Sequence, residues 1–85
     1  MLTLKDCLDF CDLSDEVVRA IAVHEGVPNI VAVEIGTNLL RTPRGYDVIE
    51  RYIQDDIAAS ERHGRPAAAE HWRSVLSAFR SVRPR

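Results

Sequence analysis

The sequence predicts an all-α fold, a compact bundle of about five short helices. Three observations predict it. Apolar residues recur at helical spacing in several stretches, and Ser, Thr, Pro and Gly stand where helices need to start and stop. Only one run, Ile30 to Ile35, has strand character, and it has no second run to pair with. The chain has 85 residues, 46% apolar and 6% aromatic, so a single core built mostly from Leu, Ile, Val and Ala is expected.

Thr3 caps a first helix over 4–11, with Asp6 reaching back in a capping box and Leu2 placed against Cys7. Leu4, Cys7, Leu8 and Cys11 form its apolar stripe. Ser14 repeats the start signal for a helix over 15–25. Asp15 and Glu16 fill its first turn, where the macrodipole favours negative charge, and Leu13 lies before the cap, opposite Val18. Gly26 then supplies a left-handed cap that Val27 covers.

Pro28 both stops one helix and fits the first turn of the next. The β-branched Ile30, Val31, Val33 and Ile35 suit a strand, but a lone strand leaves its ladder unpaired. A helix over 28–41 is therefore expected, apolar on most of its circumference and hence central. Thr42-Pro43-Arg44-Gly45 reads as a turn. The next helix, 46–63, places Val48, Ile49, Tyr52, Ile53 and Ile57 on one face and Glu50, Arg51, Asp55 and Glu61 on the other, until Gly64 ends it. Pro66 opens the last, 66–80, with Ala68, Trp72, Val75, Leu76 and Phe79 inward. Residues 1–80 thus make one helical domain, and 81–85 a flexible basic tail.

No apolar stretch approaches the roughly 20 residues of a spanning helix, and the N-terminus lacks a leader pattern, so a cytoplasmic protein is expected. A chain this short buries only about 60–65% of its unfolded surface, which favours self-association.

The sharpest motif surrounds Gly26. Ile21-Ala22, Gly26-Val27-Pro28 and Ala32 resemble the helix-turn-helix corner of bacterial repressors, where a small residue and a glycine let two helices meet closely. The segment Asn29 to Ile35, which would read bases, has no Arg, Lys or Gln, and its one charge is Glu34, which phosphate repels. A tight helix corner is the better reading. Cys7 and Cys11 lie one turn apart, within reach of one metal ion, and His24, His63 and His71 are further candidate ligands. The cysteines nevertheless hold core positions of their stripe, no metal or haem motif is present, and no cofactor is expected.

Catalysis has little to stand on. Asp55 and Asp56 are adjacent and point about 100° apart, so they cannot share a proton. Both are expected to face solvent, the alternative being that Tyr52 and Ile57 partly cover Asp56, with Arg51 or Arg62 as its compensating charge. His24 suits the helix dipole at a C-terminal turn, and His71 beside Trp72 reads as structural.

Charge is segregated along the chain. Residues 1–40 hold seven acids and two bases, and residues 41–85 nine bases and six acids, within a net charge of −2. Two outcomes follow: either the halves neutralise each other, or Arg41, Arg44, Tyr46, Arg62, Arg65, Trp72, Arg73 and Arg80 form an interaction patch.

Leu4 through Leu13, and Gly45 through Asp55-Asp56-Ile57, are similar to segments of a group of short bacterial all-helical proteins of unassigned function. The resemblance covers most of the chain and implies an ordinary bacterial cytoplasmic protein, with no activity or partner to carry over. The sequence is thus expected to encode a protein-interaction module without catalytic activity, its partner another protein or a second copy. A nucleic-acid accessory protein using the C-terminal arginines is the alternative, and a thiol or metal site at Cys7 and Cys11 the second.

Overall fold

The computed structural model describes residues 13–83, which form four helices and no strand: α1 (Asp15–Glu25), α2 (Asn29–Leu39), α3 (Pro43–Arg62) and α4 (Pro66–Val82). The first of the five expected helices, 4–11, with Cys7 and Cys11, lies outside the described residues, as do Pro84 and Arg85. No described helix is long and apolar enough to cross a membrane.

Local signals set α1 at both ends. Ser14 is extended, and its hydroxyl accepts the Val17 N–H at 3.3 Å. Gly26 takes the left-handed conformation (φ 67°), and the Val27 N–H reaches back to the Ala22 carbonyl at 3.0 Å, closing the helix end. The tight corner into α2 follows. α2 starts after Pro28 and ends at Leu39, shorter than the expected 28–41, because the Arg41 and Thr42 N–H groups bond back to Asn38 and Leu39 in a tightening turn.

Thr42-Pro43-Arg44-Gly45 is a helix start rather than a free turn. The Thr42 hydroxyl accepts the Gly45 N–H at 3.1 Å and Pro43 takes the first helical position, so α3 begins three residues earlier than expected. Gly45 sits where α3 crosses the end of α2. A Cβ there would lie 1.7 Å from the Leu39 carbonyl oxygen, so only glycine fits.

The centre of the bundle is α3, which packs on α1, α2 and α4. The expectation that α2 is central fails: α2 buries Ala32, Val33 and Gly36 but leaves Ile30 and Val31 exposed. Ile49 and Ile53 of α3 are wholly buried, against Val17, Val18 and Ile21 of α1 and Val75, Leu76 and Phe79 of α4 in one cluster. Ala69 takes the inward place expected of Ala68, which is only half-buried. α4 runs to Val82, and Arg83 is bound to α3, so the expected tail is anchored at least through Arg83.

Candidate functional site

Nine arginines lie among the described residues, and they sort into two groups. Arg19 pairs with Asp15 within α1 (3.1 Å). Arg73 of α4 pairs with Glu61 (2.5 Å) and, more loosely, Glu70 (3.7 Å). Arg80 meets Glu50 at 2.6 Å, and Arg83 binds the same carboxylate, Asp47 at 2.8 Å and the Pro43 carbonyl at 3.2 Å. Among the described residues, Arg41, Arg44, Arg51, Arg62 and Arg65 have no acidic partner within ion-pair distance, and all five are exposed.

These five stand on α3 or the turn at either end of it. Arg44, Arg51 and Arg62 are seven and eleven residues apart, which at 100° per residue keeps them within about 20° of one line on the helix. The line is about 27 Å long at 1.5 Å per residue. Arg41 precedes it, Arg65 follows it, and Asp55, exposed and without an ion pair among the described residues, is the acid on the same line.

Four members of the expected patch are engaged elsewhere. Tyr46 is 8% exposed and packs on Phe79 with ring centroids 5.6 Å apart, while the Arg83 guanidinium covers its face at 5.5 Å. Tyr46, Ile49 and Ile53 share one stripe of α3, so starting the helix at Thr42 places the tyrosine in the core. Arg73 and Arg80 are neutralised within the α3–α4 pair. Trp72 is half-buried against the core. Glu50, expected on the solvent face, keeps only 13% of its side chain exposed because two α4 arginines cover it. The basic half therefore offsets much of its own charge internally, and among the described residues the single ion pair between the two halves is His24 with Asp56.

That pair belongs to a polar cluster joining α1 to α3. His24 stacks on Tyr52 with centroids 4.6 Å apart and planes within 3°, and its Nε2 lies 3.3 Å from Asp56 Oδ1. The Tyr52 hydroxyl donates to Glu25 Oε2 at 3.1 Å. Burial raises the Asp56 carboxyl above its ordinary value, His24 opposes the rise, and the Asp55 charge adds to it. Burial and then the hydrogen bond to Glu25 raise the Tyr52 phenol. The partner of Asp56 is thus His24, not Arg51 or Arg62.

Shallow depressions lie among the described residues. One, about 250 Å³, lies at the α3–α4 turn between Glu61, Arg65, Pro66 and Arg73, and one of about 140 Å³ lies between Val17, Phe79 and Val82. Both fall below the roughly 300–1,000 Å³ of a small-molecule site. No group of three metal-ligating side chains occurs among the described residues, and every buried side-chain polar atom there has a hydrogen-bond partner. No family model matches the chain, and no curated protein or solved structure matches it.

Arg51 belongs to the line on α3 although it is not a member of the expected patch. Its signal was present: seven residues after Arg44 and eleven before Arg62, it shares their side of any helix that spans all three.

Proposed function

We propose that the chain is a small helical protein-interaction module without catalytic activity, which binds an acidic surface of another protein through the arginine ridge of α3. The sorting of the arginines supports this reading. Among the described residues, three of the five unpaired guanidinium groups line one exposed face of α3 and the other two flank it, while the arginines of α1 and α4 are held in internal pairs. Arginine is the cation that interfaces favour, because its planar fork binds carboxylates bidentately.

The nucleic-acid alternative loses two of its cations, since Arg80 and Arg83 are bound to Glu50 and Asp47. Asp55 in the ridge further disfavours a phosphate backbone and suits a partner of mixed charge. The thiol reading concerns residues outside those described.

The test is capture from nuclease-treated native-host extract with the wild-type chain and with Arg44→Glu/Arg51→Glu/Arg62→Glu as baits. The reading expects a protein held by the first and lost from the second. Equal recovery on both baits, or retention that nuclease abolishes, overturns it.

A further inference from the structure

We infer that the α1–α2 corner is a second docking surface, of opposite character to the α3 ridge, and that it takes a basic amphipathic helix of a partner protein. Three of the four large apolar residues exposed among the described residues lie here: Val23 (75% exposed), Ile30 (46%) and Val31 (37%). Val23 is three residues before Gly26, and Ile30 and Val31 are in the first turn of α2. Packing among the described residues does not explain them. α2 lies at the outside of the bundle, yet its outward face carries isoleucine and valine where a surface helix ordinarily carries polar groups.

The charges around the corner select the occupant. Between Ala20 and Leu40 the chain has no Lys or Arg, Arg19 one turn before Val23 being held by Asp15 at 3.1 Å, and the carboxylates of the stretch are Glu25 and Glu34. Glu34 follows Val31 by three residues and Ile30 by four, on the same face of α2, and has no ion pair among the described residues. Glu25 gives one oxygen to Tyr52 and keeps the other. An apolar centre edged by carboxylates fits a helix with aliphatic residues on one side and Lys or Arg beside them.

The same charges disfavour the other occupants. A second copy related by a two-fold axis would set one acid-edged face against another with no cation between them. Residues 1–12, with three aspartates and one lysine, are themselves acidic, and phosphate of nucleic acid or anionic lipid is repelled.

The corner is also held in place before binding. The left-handed Gly26 fixes the turn, and the His24–Asp56 and Tyr52–Glu25 contacts fix the end of α1 on α3, so little ordering entropy opposes docking.

The experiment titrates the full chain, by amide NMR shifts, with a synthetic 18-residue helix carrying leucine on one face and lysine on the other, and with its glutamate counterpart. The lysine peptide is expected to shift Val23, Ile30, Val31 and Glu34, and the glutamate peptide is not. Glu34→Lys is expected to weaken binding about tenfold, and Val23→Asp, at the most exposed position, to weaken it similarly with the fold intact by circular dichroism. Arg44→Glu/Arg51→Glu/Arg62→Glu is expected not to weaken it, which separates this surface from the α3 ridge. Shifts centred elsewhere, equal binding of both peptides, or no loss in Glu34→Lys overturns the inference. So does concentration-dependent self-association that Val23→Asp abolishes, because the face then belongs to a second copy.

Discussion

His24, in the last turn of α1, lies flat against Tyr52 of α3 and directs Nε2 to Asp56, one turn further along that helix, at 3.3 Å. The two side chains keep 23% and 20% of their surface. Asp56 sits on the same side of α3 as Ile49 and Ile53, so the bundle brings a carboxylate to the edge of its core and covers it with an imidazole.

The pH dependence of stability follows from the direction of the Asp56 shift. Its carboxyl is raised in the fold by burial, so its contribution is favourable below the unfolded value and is lost as pH rises through the folded value. Asp56→Asn removes this titration. The melting temperature of the variant, minus that of the wild type, is expected to move in the variant's favour as pH rises through the range just above an ordinary carboxylate. A difference moving the other way contradicts the assignment.

Ile53 is wholly buried on α3, the helix that touches all the others. Ile53→Ala is expected to cost about 2–5 kcal/mol in urea unfolding, a large part of the stability of a domain this size. Val23→Ala, on the exposed corner, should change stability by no more than about 0.5 kcal/mol.

Gly45 and Gly26 should differ in kind. Gly45→Ala drives a Cβ into the Leu39 carbonyl at 1.7 Å, a backbone atom that cannot rotate away, so a loss of about 3 kcal/mol or failure to fold is expected. At Gly26 nothing lies within 4 Å of a new Cβ and only the left-handed φ resists. Gly26→Ala should cost about 1–2 kcal/mol.

Arginines of the two groups should respond differently to removal. Arg51→Ala is expected to leave the melting temperature nearly unchanged, because no acid among the described residues is paired with it. Arg83→Ala strips a partner from the mostly covered Glu50 and releases the end of α4 from Pro43 and Asp47. Faster amide exchange in the last turn of α4, with the middle of α3 unaffected, is the expected readout.

What could be read in the sequence was what local chemistry decides. Ser14 and Gly26 act on their own backbone neighbours, so the limits of α1 needed no tertiary information. Thr42-Pro43-Arg44-Gly45 reads as a turn, yet the same residues also make a cap with proline in the first helical position, and the Thr42 hydroxyl on the Gly45 N–H is that cap. The apolar residues on most of the circumference of α2 suggest a central helix, whereas layer position depends on which helix touches the most neighbours. The His24–Asp56 pair spans 32 residues and exists only through the crossing of α1 and α3. The arginine patch was half legible: helical spacing finds Arg44, Arg51 and Arg62, but which arginines are free depends on where α4 places its own against Glu50 and Glu61.

The most direct test of the α3 ridge is photo-crosslinking in the native host, with a photoreactive amino acid at position 51 in one strain and at position 77, on the exposed face of α4, in another. The account predicts a discrete protein adduct from position 51 that is absent from position 77 and lost when Arg44 and Arg62 are changed to Glu. The same adducts from both positions, or none from position 51, would contradict it.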